Sequence, residues 1–470
     1  MYKKSQFLYF CAKDCDFFLG RKMKNFKICG FLIVISAAFL VIACAASAAP
    51  AEENKSGGSS GTVLQDAIIT FNANGGTGTM QQFELRVGET RNLPLNTFTK
   101  DGHVFLGWSS SETSEAIIAA NGGSVTQIYG AVTFYAVWGQ NMTFNNRTYD
   151  KTTFVKVMDS PVIISGSDGN WSNYMAPAVS AKSYKGVFIS GRNVKLSPYR
   201  IAQYEVTQEL YEAVMNSGRS YSNYGQGDNY PAYYISWYAA ITFCNKLSLL
   251  MGKTPCYTVN GVTDWAGLAY SSIPTTNNDD WNNAQCNWNV DGYRLPTEAE
   301  WEFAARGGNQ SAPDWKFAYA GAQATKSIYN KETPSINGYK EKVLRNDINL
   351  ASFARFGDEY QGSDQIGQKS PNRLNIYDMS GNIVEWCWDG VNIVNGSYTG
   401  ADAFDSSYME GGLVVNPKGN PESYDEKIYR GGAWNSFAGR CSVSFRVWGT
   451  TYTIGEISGL RLAQSVTEQQ

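Results

Sequence analysis

The run Arg294-Leu295-Pro296-Thr297-Glu298-Ala299-Glu300-Trp301-Glu302 fixes a helix at its first residue. The Thr297 hydroxyl and the Glu300 carboxylate each satisfy an amide that the first turn leaves without a partner. Gly307-Gly308 supplies the left-handed residue that stops the helix near Arg306. The spacing predicts two more short helices. One covers 207–215, entered through Thr207, with Leu210, Tyr211 and Val214 on one face. The other covers 236–250, entered by the same logic at Ser236, where Ala240, Phe243, Cys244 and Leu247 fall at helical spacing and Cys244 becomes an interior thiol. Long glycine-bearing stretches separate these helices, and the chain carries 46 glycines and 14% aromatic residues. Irregular loops held by aromatic packing are the consequence, so the expected class over 153–464 is α+β with much irregular loop.

Residues 63–139 follow a different pattern. Ile68-Ile69-Thr70-Phe71, Val104-Phe105-Leu106-Gly107-Trp108 and Val132-Thr133-Phe134-Tyr135-Ala136-Val137-Trp138 are β-rich runs separated by Asn-Gly and Asp-Gly turns. They predict a small sheet module with Trp108 and Trp138 in its core and His103 on a half-exposed strand. The pattern resembles the internalin-type B-repeat, also called the Listeria-Bacteroides repeat. That resemblance implies a β-grasp-like fold and a spacer or adhesion role, and the module reads as a stalk joined to the next domain by a linker at 140–152.

Composition removes several function classes. The net charge of −3, with 17% charged residues, offers nucleic acid no electrostatic footprint. His103 is the single histidine of the chain, which excludes a Ser-His-Asp triad, a Cys-His dyad and most zinc enzyme sites.

Lys22, Lys24 and Lys27 precede an apolar run over 28–43 that ends Val41-Ile42-Ala43-Cys44. A basic region, an apolar region and a small residue before cysteine resemble a bacterial lipoprotein signal, with Met23 an alternative start. Cleavage before Cys44 and acylation of its thiol give a lipid-anchored chain; an uncleaved membrane anchor is the alternative. Residues 44–62 have no large apolar side chain until Val63 and read as a flexible tether, while 465–470 form a tail. The remaining cysteines are Cys244, Cys256, Cys286, Cys387 and Cys441. Spacing assigns no disulfide among them.

Four blocks stand in order along the second domain: Leu196-Ser197-Pro198-Tyr199 with Tyr204-Glu205-Val206-Thr207, Gly292 through Glu302, Gly381-Asn382-Ile383-Val384-Glu385-Trp386, and Arg430-Gly431-Gly432-Ala433-Trp434. They resemble the hallmark blocks of the sulfatase-modifying factor, or formylglycine-generating enzyme, family. The resemblance implies a C-type-lectin-like scaffold. In active members two cysteines after the glycine-glycine-aromatic turn bind copper and activate oxygen. Here the second position is Cys441 and the first is Ser436, an alcohol where a soft thiolate is needed, so copper is not expected. Cys387, among apolar neighbours, reads as packed. The resemblance also implies structural calcium, with Asn382 and Glu385 as hard oxygen ligands and Asn349 and Asp358 as a second pair; ordinary loop hydrogen bonding is the alternative for each. Glu298, Glu300 and Glu302 are expected to cap the helix and line a solvated face.

Residues 434–459 mix aromatic, charged and small side chains between framework positions. The segment resembles the variable region of spirochaete surface lipoproteins diversified by retroelements, in which a lectin-like fold displays a binding surface. That implies ligand contact by Asn435, Ser436, Phe437, Arg440, Phe445, Trp448, Tyr452 and Glu456, and a protein or glycan partner at the cell surface. The expected function is ligand binding without catalysis. A copper-dependent formylglycine-generating oxidase and a structural envelope protein are the alternatives.

Overall fold

The computed structural model describes residues 64–167, 186–221, 223–323, 348–357, 362–391, 412–419, 425–436 and 438–466. The proposed signal, the Cys44 anchor, the tether, Asp358 and Phe437 lie outside the described residues, and Asn349 is described only as backbone of the Ile348–Phe353 helix.

The N-terminal module is built on a four-stranded sheet in the order Phe83–Leu85, Ala67–Asn72, Gly130–Gly139, Val104–Ser109. The two central strands are parallel, in register from Ala67 opposite Gly130 to Asn72 opposite Tyr135. Asn74 and Gly75, at φ 49° and 79°, turn the chain after the first strand, a left-handed conformation that Asn and Gly tolerate best. Trp108 is fully buried, with the rings of Phe71 and Phe105 each 4.8 Å from its own. Trp138 is half-buried, its Nε1 donating to the Ala73 carbonyl at 2.8 Å. The module is not a separate stalk. Leu106, Ile117 and Val137 belong to the same apolar cluster as Val155, Trp301 and Leu374 of the larger domain. Asn375 Nδ2 donates across this junction to the Leu106 carbonyl at 2.9 Å, and Arg373 to the Ile118 carbonyl at 3.1 Å.

The larger domain is mixed α and β. One sheet runs Tyr293–Arg294, Ala463–Ser465, Tyr199–Ala202, Phe154–Lys156, so that the last strand of the domain is clasped between earlier ones. A second runs Val447–Thr450, Glu426–Arg430, Val384–Gly390, Ser458–Gly459. The three helices begin at the expected caps: Thr207 for Gln208–Met215, Ser236 for Trp237–Leu250 and Thr297 for Glu298–Ala305. In the last, Thr297 Oγ1 accepts the Glu300 amide at 3.2 Å and Glu300 Oε2 accepts the Thr297 amide at 2.8 Å, a complete capping box. Trp237–Leu250 is the central helix of the largest core, with twelve of its residues, Cys244 among them, buried.

The face of Glu298–Ala305 corrects the expectation of a solvated side. All eight of its residues are buried, and each glutamate meets an arginine: Glu298 with Arg446, Glu300 with Arg294, Glu302 with Arg430 and Arg306. Charges removed from water persist only when paired with good geometry: Glu298 and Glu300 each take a forked pair, and Glu302 takes one bond from each of its two arginines.

Candidate functional site

Arg430 leads into the site. Its guanidinium is fully buried and donates to the Phe445 carbonyl at 2.7 Å, the Val443 carbonyl at 2.9 Å and Glu302 Oε2 at 2.5 Å. The residue that opens the glycine turn therefore also holds the backbone of the segment that follows it. Arg446 adds a bidentate pair to Glu298, at 2.7 Å from each carboxylate oxygen. Burial works against the Glu298 carboxylate, but Arg446 and Arg430 outweigh it and hold the group below the usual carboxylate range.

Gly431 and Gly432 take φ of 96° and 70°. A Cβ on Gly432 would stand 2.7 Å from the Arg440 carbonyl and 2.8 Å from Cys441 Sγ. Glycine is thus what lets the turn close onto Cys441. Trp434 then donates its amide to the Asn382 carbonyl at 2.8 Å and stacks on Tyr224, ring centres 5.2 Å apart.

Ser436 and Cys441 occupy the two positions after this turn. Ser436 is 7% exposed, and its Oγ accepts the Ala433 amide at 3.0 Å. Cys441 is fully buried, and that burial pushes its thiol up to about 12. A turn-bound alcohol and a neutral interior thiol do not form the pair of soft donors that copper(I) takes. Among the described residues no group of three or more His, Cys, Asp or Glu side chains is placed to hold a metal ion.

Asn382 and Glu385 both lie in the interior, each facing its own protein partners. Glu385 pairs with Arg461 and accepts Trp301 Nε1 at 2.6 Å. Asn382 donates to Glu205 Oε2 at 2.6 Å and accepts the Asp364 amide at 3.0 Å. Both side chains are thus engaged with protein partners, the Glu385 carboxylate with the Arg461 guanidinium above all.

Beyond Cys441 the segment alternates anchors and exposed side chains. Val447–Thr450 pairs with Glu426–Arg430, Trp448 opposite Ile428. Thr451 is buried, its hydroxyl on Asn282 Oδ1 at 2.8 Å and its amide on the Asp425 carbonyl at 2.7 Å. The Gly455 carbonyl accepts the Tyr234 amide at 3.0 Å, and the Ile457 carbonyl accepts the Val384 amide at 2.9 Å. Between these points Thr453 and Ile454 are exposed, Tyr452 and Glu456 half-buried, and Trp448 half-buried beside them in sequence. Asn435 is half-buried and Arg440 exposed. Phe445 and Ser436 turn inward, so neither belongs to the accessible surface, contrary to expectation. Tyr224 and Tyr234 join this side from the segment before the Trp237–Leu250 helix; the tyrosine-rich run Tyr221 to Tyr238 was the available signal for them.

Residues 178–466 match the family described as the sulfatase-modifying factor enzyme 1-like domain. The chain belongs to the sulfatase-modifying factor family. Residues 68–137 match the Listeria-Bacteroides repeat domain. A similar curated protein is the chaperone protein LppX of Paenibacillus barcinonensis, 30% identical over 286 residues that cover 59% of this chain and 83% of that protein. The formylglycine-generating enzyme of Thermomonospora curvata is 28% identical over 189 residues, 39% of this chain and only 53% of the enzyme. Among solved structures, Treponema denticola variable protein 1 is similar at 29% identity and a TM-score of 0.49, covering 68% of this chain and 98% of that one. In this family member the fold is α+β, with a small repeat module ahead of it.

Proposed function

We propose that the chain is an exported, lipid-anchored surface protein whose sulfatase-modifying factor domain binds a protein or glycan ligand without catalysis. The observation that carries this reading is the division of labour in 434–459: backbone pinned by buried Arg430, Thr451 and strand pairing, with Arg440, Trp448, Tyr452, Ile454 and Glu456 left at the surface. Aromatic side chains provide rigid contact area and small polar ones adaptable hydrogen bonds, the mix that binding loops use. Ser436, buried and committed to Ala433, supports the absence of oxidase chemistry. A relative named as a chaperone also fits a protein that works by binding. The segment 432–463 is read as the diversified region, and anchoring is assigned to Cys44.

The test pairs two assays. Purified protein is incubated with copper and a cysteine-bearing sulfatase peptide, with Ser436→Cys alongside, and formylglycine is followed by mass spectrometry. No product from the unmodified protein is expected, and turnover overturns the non-catalytic reading. Glycan arrays and surface-protein libraries are then probed with the unmodified protein and with Trp448→Ala. Binding that ignores this substitution overturns the assignment of the surface. A near-copy of the coding segment for 432–463 beside a reverse transcriptase, differing at adenines, is the genomic signature of diversification; without it the retroelement origin is dropped.

A further inference from the structure

A cleft of about 800 Å³ opens in the repeat module, and every residue that lines it belongs to that module. Its volume falls in the range of sites that hold small molecules, roughly 300–1,000 Å³. Two turns form the rim. After the first strand the Gly76 amide donates back to the Ala73 carbonyl at 3.0 Å, and ahead of Val104–Ser109 the His103 amide donates to the Lys100 carbonyl at 3.0 Å. Thr77 and Thr99 hold the turns side by side, exchanging amide-to-carbonyl bonds of 2.7 and 3.0 Å.

The floor is aromatic and fixed. Trp138 stands opposite Phe105 in the strand register, ring centres 5.7 Å apart, and Phe105 and Phe98 pack on the buried Trp108 at 4.8 and 6.1 Å. Trp138 Nε1 is committed to the Ala73 carbonyl at 2.8 Å, so the indole is locked in place and offers a ligand its ring rather than its N–H. A Cβ on Gly76 would stand 2.8 Å from Trp138 Cζ2 and 2.7 Å from the Thr99 carbonyl, so only glycine brings the first turn this close to the ring. Trp138 and Phe105 are both half-buried and both line the cleft.

The rim carries Lys100, Asp101 and His103, one cation, one anion and an imidazole. His103 Nδ1 lies 2.7 Å from the Asp101 carbonyl. A carbonyl only accepts, so Nδ1 carries the hydrogen and, in the neutral ring, Nε2 is left as an acceptor for a ligand hydroxyl.

We infer that this cleft is a second binding site, which takes a neutral pyranose ring of a β-linked glucose or N-acetylglucosamine chain. Such a ring has equatorial substituents, so its flat C–H faces stack on an indole while its hydroxyls reach donors and acceptors around the edge. The Trp138 floor and the rim of Lys100, Asp101 and His103 supply those two needs together. An acyl chain would leave the rim groups without partners, and a phosphate would meet Asp101 as well as Lys100. The inference does not depend on what the surface at 434–459 binds.

His103 is the single histidine of the chain, so its imidazole signal reports on this cleft alone. The full chain in detergent, carrying isotope-labelled histidine and no histidine tag, is titrated by NMR with chitotetraose and with cellotetraose. A saturable shift of the imidazole signal with one or both is expected. Trp138→Phe should weaken the Kd at least roughly tenfold, and Lys100→Ala at least roughly threefold. Trp448→Ala should leave the titration unchanged, which separates this cleft from the surface at 434–459. Absence of a shift with both oligosaccharides overturns the inference, as does an equal shift with inorganic phosphate or octanoate. Loss of the shift in Trp448→Ala would place the sugar in the larger domain and also overturns it. If Trp138→Phe does not fold, Lys100→Ala decides, and an unchanged Kd in that variant counts against the site.

Discussion

Arg461 and Glu385 face one another in the interior of the domain, both side chains fully buried, with guanidinium-to-carboxylate contacts of 2.6, 2.9 and 3.0 Å. Arg461 also donates to the Ala202 carbonyl at 3.1 Å and the Tyr377 carbonyl at 2.8 Å, so one side chain ties three distant stretches to the Val384–Gly390 strand. Removing one partner strands a charge out of water. Arg461→Met should destabilise by about 3–5 kcal/mol, read from urea unfolding midpoints. Arg461→Lys keeps the charge but loses the fork, and should recover little of that loss. A change below about 1 kcal/mol for the methionine variant would contradict this view of the pair.

Gly432 offers a sharper backbone test. Its φ of 70° and the 2.7 Å approach of the Arg440 carbonyl to a would-be Cβ act together. Gly432→Ala should cost at least about 2 kcal/mol, measured by thermal or chemical unfolding. Gly412, at φ 85° with nothing within 4 Å of its would-be Cβ, is the control that isolates the conformational cost. Gly412→Ala should cost only about 1 kcal/mol.

Thr207, Ser236 and Thr297 were legible as helix caps because a cap is a contact between residues three apart, visible in a short window. The burial of Glu298 was not legible. Its partner Arg446 lies 148 residues away, and a capping glutamate on a solvated face has the same local sequence. The docking of the repeat module depends on contacts such as Asn375 to Leu106, 269 residues apart, and periodicity within either segment says nothing of it. Ser436 was readable as a departure from a motif, yet its commitment to the Ala433 amide needed coordinates. Phe445 and Trp448 sit in one mixed stretch, and only the carbonyl contact from Arg430 shows that the chain at Phe445 is held inward while Trp448 stays half-exposed.

The proposed binding surface predicts a separation of stability from recognition. Ile454 stands exposed between anchored positions and contributes little core area, so Ile454→Ser should change unfolding free energy by less than about 1 kcal/mol, whereas Tyr452 is half-buried against the core around the Trp237–Leu250 helix and Tyr452→Ala should cost about 1–2 kcal/mol. Surface plasmon resonance against the captured ligand should show at least a roughly tenfold weaker Kd for Tyr452→Ala. Thr451→Ala is the mirror case: it removes the hydroxyl on Asn282 from a buried site and should lower stability by about 1–2 kcal/mol. Equal effects of Ile454→Ser and Thr451→Ala on stability would contradict the division into anchors and displayed side chains.

Asp378 gives the domain a pH dependence of defined sign. It is buried beside Glu385, and burial above all raises its pKa from 3.8 to about 6, against the Gly367 amide that donates to it at 2.6 Å. A carboxyl whose folded pKa exceeds its unfolded value favours the folded state fully only below the unfolded value. That contribution is lost as pH rises from about 3.8 through about 6 and is gone above it. Asp378 also sits at φ 59°, a conformation that asparagine tolerates well, so Asp378→Asn removes the titration without straining the turn. The stability of the variant relative to the unmodified protein should therefore grow between about pH 4 and pH 6 and then level off, by on the order of 3 kcal/mol. Urea titrations at a series of pH values measure that difference directly. A difference independent of pH would show that the Asp378 carboxyl titrates alike in the folded and unfolded chain.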